Sequence, residues 1–389
     1  VRQKDKPSAN VPMLGPVKGF RDFSGKEAEK REEIRKIIVS TFEKYGFEPA
    51  ETPIIESEEF VRGENQSDEA VSDIFKLQDK AERKLALRYE FTFQLKRLMK
   101  NKKLPYKRYQ IGPVFRNEPV AENRFRQFTQ CDVDTISSSV EEEAEVLAVA
   151  NEIFEKLGPK PIILVNNRAL LNEILDDLDV KEKDRRNVLR EIDKYGKISD
   201  KDIIANLKKY NADKVLKSLK QGERYFSKFP SYKNISNLMK YCKLYGVKVL
   251  FSPTVIRGLS YYNGNIFEIK VKDVRETLAA GGSYMFNGIQ CTGISFGLDR
   301  MLLISKVDVN KEKYLVISLG QDGVAIKLAN KLRRKGSTAS VYYGKPSKAL
   351  DYANAYGFNK VVFVGAKEVK AKKFKVKDMK TGKESGLKA

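Results

Sequence analysis

Apolar positions first take up a helical rhythm. Ser24-Gly25-Lys26-Glu27 places a hydroxyl and a carboxylate three residues apart, which is a capping box. Behind it Ile34, Ile37, Ile38, Thr41, Phe42 and Tyr45 recur at three- and four-residue spacing, and Gly46 stands where a C′ glycine belongs. The spacing predicts a helix ending there. Alternating apolar and polar residues then predict strands around 85–93, 106–117, 126–136 and 264–272. A second helix is expected over about 140–157, stopped by Gly158-Pro159. From about 166 to 250 the pattern is helical and heavily charged, with no strand-rich stretch. Strand-like runs at 314–319, 338–343 and 360–364 then alternate with helical runs at 323–335 and 346–356, the order of a small α/β domain. No internal repeat or low-complexity tract is evident, although the last twenty residues are rich in lysine.

Composition narrows the chemistry. The 389 residues suffice for two or three domains. No run of about 18 apolar residues exists, which excludes a helical membrane span. The start has no apolar stretch behind its charges and does not read as a signal peptide, so a cytoplasmic location is expected. Cys131, Cys242 and Cys291 are too widely spaced to form a metal pattern or a disulfide framework. Lys and Arg number 74 against 52 Asp and Glu, a net charge of +22. That imbalance favours a polyanionic partner, while the density of charge alone also suits thermal adaptation. There is no histidine at all. Ser-His and Cys-His nucleophile pairs, a histidine general base and histidine-ligated metals are therefore excluded. An enzyme of this composition works by positioning and electrostatics, or with carboxylates and arginines.

Strand parity places the polar groups, because residues two apart share a face. Arg88, Glu90 and Thr92 fall on one face of 85–93, with Leu87, Tyr89 and Phe91 opposite. Arg116 and Glu118 share a face opposed by Phe115. Arg126, Gln130, Asp132 and Asp134 line one face of 126–136, backed by Cys131 and Val133. A sheet with one solvated face would give the same alternation. Against that, these rows hold Arg, Gln, Asp and Glu in a lysine-rich chain, and arginine is suited to bidentate phosphate binding.

Five peptides then carry a family resemblance. Residues 45–53, YGFEPAETP, resemble motif 1 of the class II aminoacyl-tRNA synthetases. Phe115-Arg116-Asn117-Glu118, followed by a loop and Arg124-Phe125-Arg126-Gln127-Phe128, resembles motif 2, and GISFGLDR at 293–300 resembles motif 3. RGLSYYNGNIFE at 257–268 is similar to the RGLDYY-type peptide of histidyl-tRNA synthetases, and Ala280-Gly281-Gly282-Ser283-Tyr284 resembles that family's AGGRYD peptide. From about Gly15 to the C-terminus the chain resembles the histidyl-tRNA synthetase family.

The resemblance implies an α+β class II synthetase core, an antiparallel sheet flanked by helices. It adds a helical insertion domain and a C-terminal α/β anticodon-binding domain. These map onto 1–165 with 252–308, onto 166–251 and onto 311–389. It implies activation of L-histidine by ATP to histidyl-adenylate and transfer to the 3′ end of tRNA(His), with Mg²⁺ held mainly by phosphates and water. A homodimer is implied, motif 1 forming much of its interface. Arg116 and Arg257 are implied at the α-phosphate, Glu118 at the adenine amino group and Arg124 at the γ-phosphate. Phe125 is implied to stack on adenine with Arg300 on its other side. Glu90, Thr92 and Gln130 are implied to hold the α-ammonium, and Asp134 and Tyr262 the imidazole, in a pocket shared with Tyr261 and closed by Tyr284. Phe128 and Ile266 are expected in the core.

The departures are specific. Ser260 replaces the usual Asp, Ser283 and Met285 replace the Arg and Asp of the glycine peptide, and Asp134 and Asp299 stand where Glu is common. Two alternatives share the likeness: the regulatory subunit of ATP phosphoribosyltransferase and a non-enzymatic RNA-binding relative. The activation step needs no histidine side chain, so activity is expected to lack an enzyme-side histidine limb between about pH 6 and 7.5.

Overall fold

The computed structural model describes residues 15–63, 73–256, 261–309 and 312–387. They fall into two compact units, one of Lys30–Val307 with the segment ending at Phe23, the other of Asp308–Ala389 with Ser24–Glu29.

The first helix runs Gly25–Lys44 and buries Ile34, Ile38, Thr41 and Phe42. Gly46 ends it at φ +79°, and Phe47 N–H reaches back to Phe42 O at 3.1 Å, so the expected glycine stop is present. Strands follow as β1 Glu48–Pro49, β2 Ile55–Ser57, β3 Lys76–Gln78, β4 Lys84–Leu87, β5 Tyr106–Phe115 and β6 Gln127–Ile136. After them come β7 Pro161–Asn167, β8 Val249–Phe251, β9 Tyr262–Val271, β10 Ala279–Phe286 and β11 Ile289–Gly297. Eight of these form one sheet in the order β1-β5-β6-β11-β10-β9-β7-β8. Its interior pairings are antiparallel, as the family resemblance implies, but β1 on β5 and β7 on β8 are parallel, so the sheet is mixed.

The helix Val140–Leu157 covers this sheet with Val146, Ile153, Phe154 and Leu157, and Gly158 terminates it at φ +98°. Between β7 and β8 lie helices at 168–177, 182–192, 200–207, 214–219, 223–226 and 232–244. Their buried Leu170, Ile174, Val188, Leu189 and Leu238 join the apolar core of the large sheet.

One expectation needs correction, and two strands lie outside the expected set. The alternation at 85–93 makes a strand only as far as Leu87, and β4 pairs with β2 and β3 in a separate three-stranded sheet. Arg88 turns away from the polar row because its fork finds backbone carbonyls: Nε donates to Pro113 O at 2.7 Å and Nη1 to Thr52 O at 2.9 Å. Strands β10 and β11 escape periodicity because glycines interrupt them. A Cβ at Gly281 would lie 2.0 Å from Gly293 O, so close strand approach requires the glycine.

In the second unit β12 Lys313–Ser318, β13 Thr338–Tyr343 and β14 Lys360–Val364 pair in parallel, order β13-β12-β14. Parity divides their apolar residues between two layers. Val316, Val362 and Val364 pack with Leu328 and Leu332 of the helix Asp322–Arg334, while Leu315, Ile317 and Val361 pack with Ala349 and Ala353 of Pro346–Ala355. The lysine-rich end is not irregular. β15 Lys375–Asp378 and β16 Glu384–Gly386 extend the sheet in antiparallel fashion. Among the described residues no helix is long and apolar enough to cross a membrane.

Candidate active site

Residues of β6, β9, β10 and β11, with the segment that follows β5, line a cleft of about 310 Å³. Glu90, Thr92, Arg116, Glu118, Arg124, Phe125, Gln130, Asp134, Tyr261, Tyr262, Tyr284 and Arg300 all line it. Arg257 and Ser260 lie outside the described residues. Arg126, which shares parity with Gln130, does not line the cleft: Nε donates to Glu118 O at 3.1 Å, and its stem fills the space against Gly19.

Register explains the floor. On β6, Gln130, Asp132 and Asp134 point one way; β5 sets Gly112, Gln110 and Arg108 against them, and β11 sets Gly297, Ser295 and Gly293 on the other side. The β11 residues are small, which leaves the carboxylates room. A Cβ at Gly293 would come within 2.2 Å of Asp134 Oδ1.

Arg116 is held between two rings, its guanidinium carbon 4.4 Å from the Tyr89 centroid and 5.1 Å from that of Phe128. Nη2 reaches Gln130 Oε1 at 3.5 Å. Phe128 is therefore a wall of the cleft and not simply a core residue. Arg124 Nε donates to Glu118 Oε2 at 2.6 Å, so the two groups expected at opposite ends of a nucleotide are paired with each other here. Arg300 Nη1 donates to Thr277 O at 2.7 Å. Its neighbour Asp299 is structural, accepting from Arg31 Nη1 at 2.6 Å and from Thr129 N at 2.9 Å.

The acidic end is buried. Glu90 accepts from Phe93 N at 2.6 Å, and burial raises its pKa. Asp134 accepts from the Tyr284 hydroxyl, and burial raises its pKa also. Behind it lies Arg108, fully buried, with Nη2 2.8 Å from Asp134 Oδ2. That N–H is aimed at Phe91 O, 3.0 Å away, so the pair is one of proximity and Oδ2 keeps acceptor capacity. Asp132 accepts from Gln130 Nε2 at 2.8 Å on Oδ2, and Oδ1 has no hydrogen-bond partner. Burial first, then the neighbouring Asp134, pushes its pKa up to about 7. A group titrating near neutral pH thus exists at this site without any histidine, which changes the expected pH behaviour.

Parity reasoning placed Asp132 without a role and missed Arg108 and Tyr89. Arg108 shares parity with Gln110 and Gly112 on β5, and only its register opposite Asp134 gives it meaning.

The sequence matches the family described as histidyl-tRNA synthetase over residues 19–301 and that described as anticodon binding domain over residues 313–389. A protein from Bacillus cereus named histidine–tRNA ligase 1 is 32% identical over 416 residues, spanning 95% of this chain and 96% of its own. Histidine–tRNA ligase of Wolinella succinogenes is 32% identical over 418 residues, 94% of each chain. Among solved structures, histidyl-tRNA synthetase from Nostoc sp. PCC 7120 superposes with a TM-score of 0.83 at 23% identity over 97% of both chains. A Bacillus halodurans protein titled ATP phosphoribosyltransferase regulatory subunit/histidyl-tRNA synthetase gives 0.77 at 19% identity, over 91% of this chain and 99% of its own.

Proposed function

Because the chain belongs to the histidyl-tRNA synthetase family, a family of class II aminoacyl-tRNA synthetases, we propose that it converts L-histidine and ATP to histidyl-adenylate. It then transfers the histidyl group to the 3′ end of tRNA(His). The observation that carries this reading is that one cleft is lined by all twelve described residues that the family resemblance assigns to ATP and histidine.

In this reading the substrate carboxylate attacks the α-phosphorus in line and pyrophosphate leaves. Arg116, pinned between Tyr89 and Phe128, meets the developing charge without reorganising. Phe125 and Arg300 flank adenine, Glu118 takes its amino group and Arg124 the γ-phosphate, so nucleotide binding separates that last pair. Glu90, Thr92 and Gln130 hold the α-ammonium. Asp132 acts as a positioning residue: it fixes Gln130 Nε2, which turns Gln130 Oε1 toward the cleft. Asp134, Tyr261, Tyr262 and Tyr284 take the imidazole. Among the described residues no group of three His, Cys, Asp or Glu forms a metal cage. The donor set therefore suits a Mg²⁺ carried on the phosphates of ATP, where it would add charge stabilisation. In transfer, a phosphate oxygen of the adenylate accepts the ribose proton.

We assign catalysis to 1–165 with 252–308, the helical insertion to 166–251 and tRNA anticodon contacts to 311–389. A cytoplasmic homodimer with motif 1 at its interface completes the proposal. Histidine-dependent exchange of pyrophosphate into ATP tests it: we expect exchange without tRNA and histidyl-tRNA with it. No exchange in either condition would leave the regulatory-subunit or RNA-binding reading.

The neutral-range carboxyl gives a second test. Folding raises the Asp132 pKa from 3.8 to about 7, so the ionised form is disfavoured in the folded chain. Its contribution to stability is greatest below the unfolded pKa and is lost as pH rises toward 7. Substrate binding has the opposite preference, since ionised Asp132 holds Gln130 for the ammonium. KM for histidine should fall as pH rises through about 7, and Asp132→Asn should lack that step while keeping the one due to the substrate's own imidazole. Identical pH profiles would remove Asp132 from recognition.

A further inference from the structure

A second cavity, of about 270 Å³, lies on the other side of β10 from the active-site cleft. Alternation along β10 sends Ala280 and Tyr284 into the cleft and Ser283 into this cavity. The wall opposite Ser283 is Glu143, in the first turn of the helix Val140–Leu157.

Glu143 is 7% exposed, and both its oxygens take neutral donors: Asn265 Nδ2 at 2.6 Å and the Ser283 hydroxyl. Among the described residues no Lys or Arg lines the cavity or pairs with it. Apart from Val140 and Gly264 the remaining lining is amide and hydroxyl, including the exposed Asn234 and Asn237 and Ser138, whose hydroxyl oxygen has no hydrogen-bond partner. Buried carboxylates are ordinarily paired with a cation, because neutral hydrogen bonds return only part of the lost hydration. Here a buried carboxylate held only by neutral donors faces a cavity whose amide and hydroxyl groups can each offer an acceptor oxygen. The space has an origin in sequence: Ser283 stands where the resembling glycine peptide carries arginine, so a long cationic side chain is replaced by a short neutral one.

We infer that this cavity is a binding site for a small guanidinium cation, whose planar fork pairs with Glu143 while its outer N–H groups meet the surrounding amide and hydroxyl oxygens. The match is one of shape as well as charge. A guanidinium presents two parallel donors to a carboxylate and keeps others for neighbouring acceptors, whereas a quaternary ammonium presents none. The inference stands independently of the catalytic reading, since no residue of the cavity belongs to the cleft.

The test is titration of the full-length protein with methylguanidinium chloride, followed by calorimetry, with tetramethylammonium chloride at matched ionic strength as control. Saturable one-to-one binding is expected with Kd of about 1 mM, absent for tetramethylammonium. Glu143→Gln, nearly isosteric, should weaken it at least about tenfold, and Ser283→Arg should abolish it and melt higher than the wild type. No saturable binding to the wild type overturns the inference, as does equal binding to the Glu143→Gln variant. Because Glu143→Gln reports on its own, a Ser283→Arg chain that fails to fold does not rescue it.

Discussion

Arg116→Ala should lower histidine-dependent pyrophosphate exchange about 10²–10³-fold, equivalent to about 2.7–4 kcal/mol of transition-state stabilisation. The size follows from how Arg116 is held. Its guanidinium is confined between the Tyr89 and Phe128 rings and touches Gln130, so its charge is fixed before substrate arrives. Such a group acts chiefly where negative charge grows, so kcat should fall while KM for ATP changes less. Arg116→Lys keeps the charge but loses the fork and the flat stacking surface, and should recover only part of the rate. Exchange within a few-fold of normal in Arg116→Ala would place the α-phosphate elsewhere in the cleft.

Arg108→Met should destabilise the fold by about 3–5 kcal/mol, the usual consequence of removing one member of a buried charge pair. Arg108 has no exposed surface and lies 2.8 Å from Asp134, and its charge also lowers the pKa of Asp132. Methionine fills much of the volume, so the effect reads the orphaned carboxylates more than a cavity. Adding Asp134→Asn should return a large part of the loss, because neither charge then stands alone. Urea midpoints for the two single variants and the double variant measure this coupling. An unchanged midpoint in Arg108→Met would show that the pair contributes nothing. In an Arg108→Met chain that still folds, the pH step in KM for histidine should move upward, since a cation that favours ionised Asp132 is gone while Asp134 remains.

Local spacing determined more of this protein than long-range pairing did. Apolar recurrence was enough for the first helix and for Val140–Leu157, because a helix buries one stripe and its glycine stop is a local requirement. Two-residue alternation was enough for β5, β6 and the strands of the second unit, whose residues divide between two apolar layers. It failed at 88–93, where every residue is buried whichever way it points, so alternation ceased to report a strand. It failed at β10 and β11, where glycines serve the close approach of backbones. For the site, composition excluded histidine chemistry, and the motif peptides named the residues that the cleft then gathered.

Only the tertiary structure decided what those residues experience. Register put Arg108 opposite Asp134 and the small residues of β11 beside the carboxylates, and burial then carried Asp132 into the neutral range. It also left Glu143 facing a cavity instead of a cation. Parity fixes the face to which a side chain points, a property of one strand. Its neighbours across the sheet and its depth below the surface depend on how distant strands align, and a charge's hydration, partner and proton affinity are set by those two quantities.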